Sequence, residues 1–211
     1  MKQDENPFRY CSEPVAGVDL SLRSPAIVIV PGTDQESFIL PFSICKGFYL
    51  TNRKSHAFTK GNLRGSLFGQ FDSREEQYET ISEQLIEILV TNNVKHIALE
   101  DYSYGSPNTM VLTQLAENAG IFKYFLHKHG ITYDLYSPSS IKKCATGQGI
   151  RADKSKMRDA FYEDNPDYDI QAQFDRKRTD KPNSPVNDLI DAYYLALSGR
   201  VANAVQAREN I

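Results

Sequence analysis

The chain has 211 residues, 40% of them hydrophobic and 24% charged, with a net charge of −3. That length and balance describe one globular domain with a proper core, not a disordered chain. The charge does not advertise nucleic-acid binding, although a net value hides acids gathered in one place and bases in another. No run reaches membrane-span length, and residues 1–6 lack a signal-peptide core. The three cysteines, Cys11, Cys45 and Cys144, are far apart, which argues against a disulfide framework and against zinc. A cytoplasmic protein with no membrane partner is expected.

Residues 1–13 read as a polar lead-in, 14–206 as the folded domain and 207–211 as a tail. The stretch Pro14 to Arg23 reads as a short apolar strand with Asp19 in its middle, and Ala26 to Val30 is a second apolar run, joined closely enough to be adjacent antiparallel strands. The stretch 37–50 is rich in β-formers and supplies a third strand. Residues 51–72 are polar, basic and Gly-rich, a loop or a ragged hairpin. Ser73 with Glu76 forms a capping box for a helix carrying Tyr78, Ile81, Leu85, Ile88 and Leu89 at helical spacing. Residues 94–99 form a buried strand ending in Glu100 and Asp101.

A second helix, opened near Pro107, places Met110, Leu112, Leu115, Ala119, Phe122 and Phe125 on its apolar side and stops at Gly130. Residues 131–136 are a fifth strand. Short helices follow from Ser137 and across 152–162, separated by residues 146–149. The stretch 164–183 is charged and holds Pro166 and Pro182, as a surface loop does. Ser184 as N-cap and Pro185 at the first helical position then launch a last helix. Three antiparallel strands followed by parallel βα units give an α/β fold, a five-stranded mixed sheet flanked by helices.

Four acids stand out in that order. Asp19 lies in the first strand and Glu100 ends the fourth. Asp188 and Asp191 sit three apart, on one helix face that continues to Leu195. An acid in a helix's first turn also complements its dipole, so Asp188 is open to either reading. Clustered carboxylates repel one another unless a multivalent cation joins them, and oxygen-only ligands favour Mg²⁺ or Mn²⁺. Two such ions roughly 4 Å apart suit phosphodiester hydrolysis.

The segments Val18-Asp19-Leu20-Ser21, Ala98-Leu99-Glu100-Asp101-Tyr102 and Asn187-Asp188-Leu189-Ile190-Asp191-Ala192 resemble, in that order, the RuvC family of Holliday junction resolvases. The similarity runs from about Val15 to Ala196. Residues 137–143 and 147–154 are similar to the family's segment before its last helix, where a Gly-x-Gly turn precedes a lysine. The resemblance implies the RNase H-like fold and a metal-dependent crossover junction endodeoxyribonuclease. It implies that Asp19, Glu100, Asp188 and Asp191 bind the metals and that Lys154 supports them at the phosphate. It further implies branched DNA, such as a four-way junction, as partner, and a homodimer formed through the helix at 108–129. The stretches 51–72 and 164–183 look longer than in typical bacterial members. The short, divergent chain is more similar to the phage- or virus-encoded branch, which would work in the cytoplasm of a bacterial host.

Three basic clusters are candidates for phosphate contact: Arg53, Lys54, Lys60 and Arg64; Lys142, Lys143, Arg151, Lys154, Lys156 and Arg158; and Arg176, Lys177, Arg178 and Lys181. Each reads equally as a solvated face, and the middle one adjoins the site in the family pattern. Tyr102 and Tyr104 are placed to stack on bases at an opened junction, or else to pack as strand-end tyrosines. Competing functions are a same-fold nuclease acting on flaps, forks or structured RNA and a non-catalytic junction-binding protein. An actin-like or sugar-kinase-like domain needs glycine-rich phosphate turns after its first acid, and Leu20-Ser21-Leu22-Arg23 has none.

Overall fold

Strand β1, Val15–Asp19, and strand β2, Ala26–Val30, are buried at every position, as central strands covered on both faces must be. They pair antiparallel with Val15 opposite Val30 and Asp19 opposite Ala26. Ser21 closes the turn between them by accepting the Ser24 backbone N–H at 3.1 Å. In the computed structural model, residues 13–33, 37–101, 109–149 and 152–209 are described, the side chains as far as Val201.

The third strand is shorter than the stretch predicted for it. Only β3, Lys46–Thr51, is extended, and Phe42–Ile44 before it forms a 3₁₀ turn. The basic stretch 51–72 adds two strands, β4 at Thr59–Lys60 and β5 at Leu63–Leu67. The ragged-hairpin alternative is therefore the observed one, with β5 returning parallel to β3. Strand β6, His96–Glu100, lies parallel to β1, and β7, Thr132–Tyr136, lies parallel to β6. The sheet has seven strands in the order β4-β5-β3-β2-β1-β6-β7, not five.

Helix α1, Arg74–Thr91, starts at Ser73, whose hydroxyl accepts the Glu76 N–H at 3.1 Å. The Glu76 carboxylate reaches the N–H of Asp72, one residue outside the usual box partner. Helix α2 spans Thr109–Lys128 and turns off at Gly130, which holds φ +64°. These two helices cover one sheet face through Ile81, Leu85, Leu89, Phe122 and Leu126 against Ala16, Val18, Ile27 and Leu99. Met110, expected on the apolar side of α2, is 64% exposed instead.

The opposite face is covered by α3, Pro138–Thr146, α4, Lys154–Asp164, and α5, Val186–Glu209. Helix α5 begins one residue after Pro185, follows a cis Ser184–Pro185 peptide, and runs through part of the expected tail. Side chains alternate along a strand, so Val15, Gly17 and Asp19 face α5 while Ala16 and Val18 face α1 and α2. A Cβ on Gly17 would lie 2.0 Å from the Ala192 carbonyl oxygen and 2.3 Å from the Ala196 nitrogen. Only glycine lets α5 lie this close to β1.

The stretch 164–183 is not merely a surface loop. Ile170, Gln171 and Pro182 are buried, and Phe174 packs on Tyr49 and Phe58 with ring centroids 5.4 and 5.2 Å apart. The Tyr168 hydroxyl donates to Asn62 Oδ1 at 2.6 Å, and Lys60 Nζ donates to the Ala172 carbonyl at 3.1 Å. The two segments that looked like insertions are thus packed against each other at the β4–β5 edge. No helix among the described residues is long and apolar enough to cross a membrane.

Candidate active site

Registration places the first two acids. Val18 pairs with Leu99 on parallel neighbouring strands, so the next residue of each, Asp19 and Glu100, end side by side on the α5 face. The close approach at Gly17 brings the first turns of α5 over the same strand ends, carrying Asp188 and Asp191 with it. Asp19 and Asp188 are buried, and Glu100 and Asp191 are half-buried. The structure thereby brings all four sequence-selected acids to one end of the sheet.

Their electrostatics record that crowding. Burial, then Glu100, Asp188 and Asp191, hold the Asp19 carboxyl well above the usual carboxylate range. Burial pushes Glu100 up to about 8, with Asp191 and Asp188 adding to it. Burial and Asp188 push Asp191 up to about 7. Asp188 is raised by burial too, but hydroxyls of Ser24 and Ser184, the Lys154 charge and a hydrogen bond with Asp19 oppose the rise. Asp188 is therefore the carboxylate best served by its neighbours. Lys154 at the start of α4 acts on all four acids, and Lys142 on α3 acts on Glu100 and Asp191. Those two cations do not outweigh burial and repulsion.

Beside the acids lies an open cleft of about 280 Å³, lined by Asp19, Glu100, Asp101, Leu115, Ala119 and Pro138, among others. Leu115 and Ala119 give it an apolar wall, whereas sequence spacing pointed both residues only at the core. Ser24 and Ser184 also escaped the sequence reading as site residues. A lone serine before a proline carries no signal until the fold sets it against a carboxylate.

Of the remaining residues singled out earlier, Lys143 is exposed on α3. Lys156 Nζ donates to Gln148 Oε1 at 2.7 Å. Arg158 is engaged by Asp159 and the Asp180 carbonyl, which ties it to the 164–183 segment. Tyr102, Tyr104 and Arg151 lie outside the described residues.

The donor set is all oxygen and rich in negative charge, which suits a hard divalent cation such as Mg²⁺ or Mn²⁺. As they stand, no three His, Cys, Asp or Glu side chains among the described residues are grouped closely enough to hold a metal ion. The chemistry of the donors nevertheless fits such an ion.

No family model matches the sequence, and no curated protein matches it. Solved structures do. RuvC of T. thermophilus in complex with a Holliday junction substrate is similar at 15% identity and TM-score 0.61, over 92% of this chain and 96% of that one. A second Thermus thermophilus RuvC structure is similar at 15% identity and TM-score 0.54, with the same coverage. The yeast mitochondrial Holliday junction resolvase Ydc2 is similar at 13% identity and TM-score 0.54, over 95% of this chain and 83% of that one. At such identities the likeness is one of architecture: this chain has the RNase H-like α/β fold seen in RuvC and Ydc2.

Proposed function

We propose that this protein is a divalent-metal-dependent endonuclease that cuts phosphodiester bonds in branched DNA, four-way junctions foremost, as a crossover junction endodeoxyribonuclease does. The observation that carries the reading is the cluster of Asp19, Glu100, Asp188 and Asp191 at one sheet end, all raised in pKa by burial and the first, second and fourth also by neighbouring acids. A pocket that stabilises such groups poorly when ionised gains most from a cation. The likeness to a junction-bound RuvC supports branched DNA as the substrate class.

In this reading Asp19, Glu100, Asp188 and Asp191 hold the metal, two Mg²⁺ or Mn²⁺ ions by the family resemblance. Bound there, divalent ions supply an activated water and charge stabilisation at the leaving oxygen. Lys154 and Lys142 at the rim hold the phosphate, and Lys143, Arg151, Lys156 and Arg158 extend the basic track. The Ser24 and Ser184 hydroxyls favour the ionised form of Asp188 and aim it. Tyr102 and Tyr104 stack on bases at the opened branch point. A homodimer joined through α2, where Met110, Val111 and Tyr124 are exposed, would present two cleavage sites to symmetric strands.

The test incubates labelled four-way junction, flap, fork, linear duplex and structured RNA with Mg²⁺ or Mn²⁺, with and without chelator. Expected is chelator-sensitive cleavage with the four-way junction cut fastest. Asp19→Asn should lower the rate by about 10³-fold or more while junction binding persists. Cleavage by Asp19→Asn at the wild-type rate would overturn the assignment. Preference for flaps, forks or RNA would keep the chemistry and move the substrate. A second reading, junction binding without cleavage, is favoured by the absence of a ready metal-holding group among the described residues. Tight junction binding with no cleavage in either metal would establish it.

A further inference from the structure

Beside the two serines that hydrogen-bond Asp188 lies a second groove of about 410 Å³. Arg23, Arg53, His56 and Asn52 line it, with Ser24 and Ser184 among its wall residues. No acid is among its described lining residues, in contrast to the neighbouring cleft. Arg23 and Arg53 are exposed, and neither has an ion-pair partner among the described residues. Ser24 and Ser184 both turn their hydroxyls onto Asp188, which ties the wall of the groove to the acidic cluster.

Like-charged guanidinium groups left unneutralised around a polar concavity attract an anion. After burial, the Arg53 and Arg176 charges lower the His56 pKa, a sign of positive potential across the groove. The packing of Phe174 on Tyr49, Phe58 and His56 sets the 51–56 segment in place, so the groove is positioned by both stretches that looked like insertions.

We infer that this groove is a second phosphate subsite, in which Arg23 and Arg53 hold a backbone phosphodiester flanking the one delivered to the acidic cleft. Its place beside that cleft rests on the nuclease reading; its affinity for a nucleic-acid phosphate does not. Asn52, Asn183, Ser24 and Ser184 are among the wall's neutral hydrogen-bonding groups, and the two serine hydroxyls engage Asp188.

The test compares wild type with the Arg23→Ala/Arg53→Ala double variant and with Arg53→Lys. Equilibrium binding of a labelled four-way junction is measured across a salt series in chelator. The double variant should bind roughly tenfold more weakly, with the slope of log K against log salt smaller by about two, one per lost phosphate contact. Arg53→Lys should keep most of the slope, because a point charge still releases a counterion. An unchanged affinity and slope in the double variant would overturn the subsite and leave the nuclease proposal standing. The His56 ring resonances supply an independent readout with a single-stranded thymidine hexanucleotide. A saturable shift in wild type that disappears in the double variant supports the subsite even where no substrate is cut. Absence of that shift, or a shift given by inorganic phosphate but not by the oligonucleotide, would refute it.

Discussion

The middle of the sheet and its β4–β5 edge are built by different means. At the middle, backbone approaches backbone: α5 lies so near β1 that a methyl group at Gly17 has nowhere to go. At the edge, side chains bridge segments more than a hundred residues apart, through Phe174 on Tyr49 and Phe58, Tyr168 on Asn62 and Lys60 on Ala172. The outermost pairing is only two residues long. Backbone-to-backbone packing places carboxylates reproducibly, as a site for chemistry requires. Side-chain packing over a short strand lets charged residues such as Arg53 and Lys54 be presented without being buried.

The sharpest way to break this contrast is at Gly17. Gly17→Ala should cost about 4 kcal/mol or more, since the obstructing atoms are main-chain and cannot rotate away. Little soluble protein, or a midpoint in urea displaced far below wild type, is the expected result. A near-wild-type midpoint would show that α5 can slide on β1, and the placement of the acids would lose its cause. At the edge, Phe174→Ala should cost about 2 kcal/mol, less than a core phenylalanine because the ring is only partly buried. That corresponds to a melting temperature lower by about 4–8 °C. No change would mean that the 51–72 and 164–183 segments are independent of one another.

The same contrast explains what could be read in advance. Strand β2 is apolar throughout, and β1 and β6 hold the unbroken apolar runs 15–18 and 97–99; such continuity fits little except a covered strand, so their place was legible. The order of the acids along those elements was legible too, because each sits where an apolar pattern ends or on a helix face continuing into the core. The edge was not. Thr59 and Lys60 make a strand of two residues, too short to show a pattern, and β5 contains Gly65, which is tolerated because the Tyr49 ring occupies the space of its missing side chain. Ile170 and Gln171 sit in a charged, proline-flanked stretch, and their burial depends on partners that local pattern cannot name. The contact of Ser24 and Ser184 with Asp188 was invisible for the same reason. Their role comes from the position of Asp188, not from their neighbours in sequence.

The smallest predicted effect concerns the cost of gathering acids at the middle. Glu100 and Asp191 have folded-state pKa values near 8 and 7, above the values near 4 expected once unfolded. Between those limits the folded chain binds more protons than the unfolded one, so these groups make stability fall as pH rises from about 4 to about 8. Asp191→Asn removes one of the repelling charges. In chelator at about pH 8 the variant should be more stable than wild type by about 1 kcal/mol, or about 2–4 °C, with the advantage fading toward pH 4. A divalent ion should reverse the ranking. At a hundredfold excess over Kd, Mg²⁺ or Mn²⁺ adds about 2.7 kcal/mol to whichever protein binds it, and the variant has lost a donor. If Asp191→Asn is instead destabilising in chelator across the whole range, its carboxylate is held by contacts stronger than the repulsion. The middle of the sheet would then be a settled ion-pair network, not a pocket held in wait for a cation.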